Sequence, residues 1–187
     1  MNAPASQSRP DLAPELDGRA CRTFDVVIMG GALSGAAIAN LLLQEMPSLK
    51  ILIVEKSTVF SRRVGEATVE VSSYFLMRSI GLTKFLNETQ LNKNGLRFWF
   101  ANEKTKSLDQ CSEIGGRYLS RVPGYLVDRA TLDEEVLRRA VALGAQVWRP
   151  AQVQKVELQA GGQQTVTVKY QEQIEEIKSR WVVDASG

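Results

Sequence analysis

A glycine-rich turn set between two apolar runs, over residues 25–56, constrains the fold of this chain most strongly. The first run, residues 24–29, is rich in β-branched residues and holds no turn-forming residue, which indicates a strand buried on both faces. An alanine-rich segment after Gly35 favours a closely packed helix. The second apolar run, residues 51–54, ends at Glu55, about 20 residues beyond the last glycine. This order of features predicts a strand–turn–helix–strand unit that opens an α/β sheet.

The same unit predicts a dinucleotide site. Gly30 permits a tight turn and Gly31 lets the backbone approach a phosphate. The helix N-terminus would then meet a pyrophosphate, and Glu55 a ribose hydroxyl. Ala32 stands where the pattern G-x-G-x-x-G has its second glycine, so one methyl group faces the pyrophosphate. A glycine cluster by itself usually marks an ordinary turn. Because strand, turn, helix and acid occur together, we assign cofactor binding to Gly30, Gly31, Ala32, Ser34, Gly35, Glu55 and Lys56.

The amino-acid composition of the chain excludes several classes of function. The 187 residues include 23 Lys or Arg and 21 Asp or Glu, and this net charge of +2 argues against a nucleic-acid or membrane partner. Histidine is absent, which excludes a serine triad, a histidine base and most zinc sites from these residues. Cys21 and Cys111 lack metal-ligand spacing, so we interpret them as reduced structural thiols. Any chemistry here is therefore expected to depend on a cofactor.

The first 22 residues differ from the rest of the chain. They contain three prolines and several small polar residues, and they lack the apolar core of a signal peptide. We therefore expect a disordered leader over residues 1–22 and, by default, a cytoplasmic location. Residues 23–187 are expected to form an FAD- or NAD(P)-binding domain. The last predicted strand, residues 181–184, ends in an acid with no helix after it, which predicts an N-terminal fragment whose domain continues beyond Gly187.

The remaining periodicities predict a mixed α/β fold. Helices are expected at residues 69–79, 82–87 and 131–143. Residues 102–116 are expected to form a loop. Strands are expected at residues 95–100, 124–127, 145–148, 153–158, 165–170, 174–178 and 181–184. The resulting fold class is a Rossmann-like α/β fold with a mostly parallel sheet, interrupted by an antiparallel meander over residues 153–178.

Four segments carry a family resemblance. They are residues 30–35 with Glu55, residues 64–68 (Val-Gly-Glu-Ala-Thr), residues 127–133 (Val-Asp-Arg-Ala-Thr-Leu-Asp) and residues 182–187 (Val-Val-Asp-Ala-Ser-Gly). In this order they resemble the flavoprotein monooxygenase superfamily with the glutathione-reductase-type FAD fold. The Gly-Glu-Ala-Thr segment is similar to that of the flavin-dependent halogenases, of which tryptophan halogenase is the best-known type. The resemblance covers residues 23–187 and implies FAD as the cofactor.

The resemblance also implies two further FAD contacts. Arg129 would reach the FAD phosphates or the ribityl chain. A solvated arginine paired with Asp128 or Asp133 is the alternative interpretation. Asp184 would accept a ribityl hydroxyl, and its alternative role is to cap a helix or a loop.

Two residues are candidates for chemistry. Lys93 begins a segment, Lys-Asn-Gly-Leu-Arg-Phe, that resembles the halogenase segment whose lysine directs hypohalous acid to the substrate. An ammonium can donate hydrogen bonds to the oxidant or, once deprotonated, act as a nucleophile. Glu66 would lie near the flavin. The alternatives are a solvated Lys93 in a polar loop and a surface pair of Glu66 with Arg62 or Arg63.

The implied function is that of an FAD-dependent oxidoreductase. A flavin-dependent halogenase uses reduced FAD, O₂ and a halide to halogenate an electron-rich small-molecule substrate, with reduced flavin supplied by a separate flavin reductase. A flavin-dependent monooxygenase or reductase of the same superfamily is the first alternative, and it would not need Lys93. An FAD-binding fragment without activity of its own is the second.

Overall fold

The computed structural model describes residues 22–116 and 122–187. The leader predicted over residues 1–22 thus lies outside the described residues, except for Arg22, which begins the first strand. The described residues form two compact units, residues 22–58 with 140–187 and the described part of residues 59–139. Each unit is described by itself below.

The elements of the described residues follow one another in this order. They are β1 Arg22–Met29, α1 Leu33–Glu45, β2 Ile51–Val54, α2 Glu70–Arg78, α3 Thr83–Thr89, β3 Leu91–Lys93, β4 Arg97–Phe100, β5 Ser112–Gly115, β6 Gly124–Leu126, α4 Arg129–Ala142, β7 Gln146–Trp148, β8 Ala151–Glu157, β9 Gln164–Tyr170 and β10 Gln173–Asp184. Among the described helices, none combines the length and the hydropathy that a membrane span requires.

The first unit is built on a six-stranded sheet in the order β7-β2-β1-β10-β9-β8. Strands β7, β2, β1 and β10 run parallel, and β10, β9 and β8 form the antiparallel meander. This arrangement confirms the predicted fold class. All four residues of β2 are buried, as expected for a central parallel strand. The register places Met29 beside both Val54 and Asp184, so the carboxyl ends of three strands meet at one edge.

One hydrophobic cluster of this unit joins the meander to the parallel strands. Trp148 is fully buried and its ring stacks on Tyr170, with 5.0 Å between ring centroids. The guanidinium of Arg22 lies 5.2 Å from the centre of the Trp148 ring, within the range of a cation–π contact. The buried residues that complete this cluster are Phe24, Val27, Leu52, Val54, Ala151, Val166, Val168 and Ile177.

Three element predictions are corrected by the structure. The strands expected at residues 174–178 and 181–184 are one continuous strand, β10, because Ser179 is fully buried and both flanking strands pair with this stretch. The loop expected over residues 102–116 includes β5, which pairs with β4. Strand β3 was not expected, and it pairs with β6. The two missed strands are short and polar, so only their partner strands reveal them.

The second unit contains α2, α3, most of α4 and two small sheets, β3–β6 and β4–β5. Residues 65–68, called the 65–68 loop below, join the β3–β6 sheet through a bridge between Ala67 and Leu126. Each helix buries aliphatic side chains in this unit, namely Leu76 of α2, Leu86 of α3, and Leu132 and Val136 of α4. The β3–β6 sheet and the 65–68 loop position the second group of candidate residues.

Candidate functional site

The glycine turn after β1 is closely packed at Gly30 and Gly35. Gly30 has φ of +98°, a conformation that side chains rarely adopt. A Cβ at Gly30 would lie 2.4 Å from the carbonyl oxygen of Ala185, and a Cβ at Gly35 would lie 1.9 Å from that of Gly30. The helix thus starts directly against the strand, an approach that only a glycine at position 35 permits.

Glu55 closes this turn from the end of β2. Its side chain is 5% exposed, and its Oε2 accepts a hydrogen bond of 2.7 Å from the Gly31 N–H. Its Oε1 accepts a bond of 2.8 Å from the Ser57 N–H. The carboxylate thus holds the turn together, a role that sequence spacing did not predict. Each carboxylate oxygen has two lone pairs, so capacity for a ribose hydroxyl remains.

The start of α1 suits an anion. Ala32 is the N-cap residue, no side chain caps the helix, and its first turn holds no acidic residue. The orphan N–H groups of a first turn, together with the helix dipole, favour a phosphate at such a position. Ser34 is exposed on this turn, and Lys56 is exposed beyond β2. These observations fit the pyrophosphate of a dinucleotide such as FAD.

Asp184 lies at the same edge of the sheet, at the end of β10. Its Oδ1 accepts hydrogen bonds from the Ser186 hydroxyl at 2.7 Å and from the Ser186 N–H at 3.0 Å. These two bonds lower the pKa of Asp184 below its ordinary value. The loop cap considered as an alternative is therefore formed, and the exposed, ionised carboxylate keeps acceptor capacity for a hydroxyl.

In the second unit, the 65–68 loop is held against β6. The Glu66 carbonyl accepts the Val127 N–H at 2.7 Å, and the Thr68 N–H donates to the Tyr125 carbonyl at 2.8 Å. The Glu66 side chain is exposed. Arg62 forms its ion pair with Asp128, at 3.1 Å, rather than with Glu66.

Lys93 ends β3 and turns its ammonium to the 65–68 loop. Its Nζ donates a hydrogen bond of 2.8 Å to the Thr68 carbonyl, and the side chain is half-buried. Gly124 lies opposite Lys93 in the β3–β6 pair. The environment of Lys93 therefore differs from that of a solvated surface lysine.

Arg129 begins α4 and is paired. Its Nε and Nη2 donate to the two carboxylate oxygens of Asp133 at 2.9 and 3.0 Å, and the Asp133 side chain is fully buried. The pair with Asp133, one of the two alternatives for Arg129, is therefore present. The Nη1 atom lies 3.3 Å from the position of a Cβ on Gly65, so the guanidinium borders the 65–68 loop.

The structure thus brings the candidates together in two groups. In the first unit, Gly30, Gly31, Glu55 and Asp184 share one edge of the sheet. In the second unit, Lys93 and Arg129 lie beside the 65–68 loop, which contains Glu66. Sequence reasoning did not single out Thr68, Gly124 or Tyr125. A glycine at the start of a short strand, as at Gly124 in β6, was the one available signal.

Comparisons with known proteins agree with this geometry. The family model described as FAD binding domain matches residues 23–187. The chain is 27% identical over 200 residues to the flavin-dependent halogenase chlA of Dictyostelium discoideum, covering 92% of this chain and 32% of the relative. It is also 27% identical over 179 residues to the 1H-pyrrole-2-carbonyl-(peptidyl-carrier protein) chlorinase of Pseudomonas fluorescens, covering 88% and 39%. The chain spans less than two-fifths of the length of these curated relatives.

A solved structure shows the same fold. The myxobacterial chondrochloren halogenase CndH superposes with a TM-score of 0.76 at 22% identity, over 89% of this chain and 38% of that one. At this identity the likeness establishes the fold.

Proposed function

This chain belongs to the FAD-binding domain family, and we propose that it forms the FAD-binding part of a flavin-dependent halogenase. The observation that carries the proposal is the half-buried Lys93, whose ammonium donates a hydrogen bond to the Thr68 carbonyl in the 65–68 loop. The two curated relatives are a halogenase and a chlorinase, which supports the same reaction class.

The first unit holds most of the residues that we assign to FAD, and the second unit holds Arg129. The uncapped start of α1 and the turn of residues 30–35 would bind the pyrophosphate, and Glu55 the adenosine ribose. We assign Asp184 to a ribityl hydroxyl, because its ionised carboxylate is exposed at the same edge of the sheet. Arg129 is assigned to the phosphates or the ribityl chain, where its paired Asp133 would fix the guanidinium plane.

The chemistry then divides between the cofactor and this chain. Reduced FAD bound here would supply two of the four electrons that O₂ accepts, and chloride or bromide would supply the other two and become hypohalous acid, with water as the second product. The Lys93 ammonium donates a hydrogen bond to the oxygen of that acid, which makes the halogen more electrophilic. A bond then forms between the halogen and an electron-rich carbon of the substrate and the halogen–oxygen bond breaks. The leaving hydroxide takes a proton from the Lys93 ammonium and departs as water.

The remaining reactants follow from this scheme. The substrate carbon loses a proton as it gains the halogen, and we assign the exposed Glu66 carboxylate as the acceptor of that proton. Reduced FAD would come from a separate flavin reductase. The substrate class is a small, electron-rich aromatic or alkene.

Lys93→Ala in the full-length protein tests the proposal. We expect halogenation of a phenol or indole probe, measured by mass spectrometry with bromide and reduced FAD, to fall at least about 100-fold. FAD affinity and FAD oxidation should persist. The matched control is Lys84→Ala, which removes an exposed lysine from α3.

Two outcomes would contradict the proposal. Halogenated product that persists in the Lys93→Ala protein removes Lys93 from the mechanism. A wild-type protein that yields hydroxylated product, independent of halide, is a monooxygenase of the same superfamily.

A further inference from the structure

The Lys93 ammonium donates its hydrogen bond to a main-chain carbonyl, that of Thr68. A carbonyl can hold an ammonium in one place only if its own peptide group is held. The hydrogen bonds and close contacts around Thr68 show how this is done.

The Thr68 hydroxyl uses all of its hydrogen-bonding capacity within the protein. Oγ1 donates to the Tyr125 carbonyl at 2.9 Å and accepts the Tyr125 N–H at 2.8 Å. Its third contact, with the hydroxyl of Ser73 at 3.0 Å, is therefore one in which Ser73 donates. Ser73 is fully buried and Tyr125 nearly so. If the Thr68 hydroxyl were removed, water could not reach these two residues to restore their hydrogen bonds.

Tyr125, the main-chain partner of Thr68, is itself anchored. Its side chain is 1% exposed, and its hydroxyl donates to the Asn87 side-chain carbonyl at 2.6 Å. Burial raises the pKa of the Tyr125 phenol, so the group stays protonated and remains a donor. The position of Thr68 thus depends on β6 and, through Tyr125, on α3.

Gly124 sets the position of the Thr68 carbonyl from the other side. A Cβ at Gly124 would lie 2.9 Å from the Thr68 oxygen and 3.5 Å from the Lys93 oxygen. Both neighbours are main-chain atoms and cannot rotate away, so a side chain at Gly124 must displace the carbonyl that accepts the Lys93 ammonium.

We propose that Thr68 and Gly124 are positioning residues for Lys93. The saturated Thr68 hydroxyl and the bare α-carbon of Gly124 place one carbonyl, and this carbonyl holds the ammonium at the 65–68 loop. The inference rests on the proposed function, since Lys93 matters to the reaction only if the protein is a halogenase.

The test is the reactivity of Lys93 towards an acylating reagent, which does not depend on enzyme activity. The full-length protein is pulsed with acetic anhydride, and each lysine is quantified by peptide mass spectrometry. In the wild type, Lys93 should be acetylated more slowly than the exposed Lys84 and Lys104. Thr68→Val and Gly124→Ala should each raise the Lys93 rate at least about fivefold and leave Lys84 and Lys104 unchanged.

Conservative variants serve as matched controls. Thr68→Ser keeps the hydroxyl and should keep the Lys93 acetylation rate of the wild type. Gly162→Ala adds a Cβ that meets only the flexible side chain of Gln159, and it should leave Lys93 unchanged. If Gly124→Ala does not fold, the Thr68→Val and Thr68→Ser pair decides.

The outcomes separate the two proposals. An unchanged Lys93 rate in a folded Thr68→Val protein overturns the positioning role, whatever the activity of Lys93→Ala. A raised Lys93 rate with undiminished halogenation supports the positioning contact and refutes the catalytic role of Lys93. A raised rate with kcat reduced at least about tenfold and unchanged FAD affinity supports both.

Discussion

Glu55 offers a prediction that separates two roles of one carboxylate. The acid is 5% exposed and accepts the N–H groups of Gly31 and Ser57 at 2.7 and 2.8 Å. If these bonds hold the glycine turn, Glu55→Gln should destabilise the protein even when no FAD is bound. If Glu55 serves only a ribose, the same change should weaken FAD binding alone.

The magnitude follows from the two bonds. A glutamine has a single carbonyl oxygen, so either Gly31 or Ser57 would face an amide NH₂ and lose its acceptor. A hydrogen bond to a charged group contributes about 1.5–3 kcal/mol, and the surviving bond becomes a neutral one of about 1 kcal/mol. Glu55→Gln should therefore lower the free energy of unfolding by about 2–5 kcal/mol.

Urea unfolding of the FAD-free protein measures this change. The control is Glu45→Gln, which neutralises an exposed glutamate at the end of α1 and should change stability by less than about 0.5 kcal/mol. An FAD-free Glu55→Gln protein as stable as the control, with FAD affinity still reduced, would refute the reasoning about the turn.

Two further predictions concern packing and pH. Gly35→Ala places a Cβ 1.9 Å from the Gly30 carbonyl oxygen, so urea unfolding should show a loss of about 3 kcal/mol, and wild-type stability would contradict the close approach. Glu135 accepts hydrogen bonds from Arg138 and Arg139. These bonds, mainly the one from Arg138, lower the pKa of Glu135 below its ordinary value of 4.5. Because a lowered folded-state pKa stabilises above the unfolded-state pKa, Glu135→Gln should reduce stability by about 0.5–1 kcal/mol at pH 7. The difference should shrink as the pH falls below 4.5 and vanish below the lowered pKa of the folded state, and a difference that stays constant with pH would contradict the ion pairs.

The first strand–turn–helix–strand unit was predictable because its signals are local. The apolar run ending at Met29, the glycines from Gly30 to Gly35 and the acid at Glu55 each act on the backbone near their own position. The antiparallel meander was also predictable, from alternating strands and the turn at Gly161.

The short, polar strands were not predictable in the same way. Leu91–Lys93 and Ser112–Gly115 carry polar residues, and neither shows an apolar alternation of strand period. Their hydrogen bonds are supplied by β6 and β4, so these strands exist only where those partners lie beside them. The prediction divided the continuous strand β10 because the polar pair Ser179-Arg180 resembles a break between two strands. The structure shows that β1 and β9 both pair with Ser179, so the strand continues.

The sequence by itself determined the types of group available to this protein: a glycine turn for a phosphate, an acid after β2, a lysine near an aromatic run and no histidine. Only the tertiary structure decided which of these groups touch. The bonds from Gly31 to Glu55 and from Lys93 to the Thr68 carbonyl join residues 24 and 25 positions apart. The physical reason is that such contacts depend on strand pairing and on which atoms come within hydrogen-bonding distance, and neither is encoded in the spacing of a local motif.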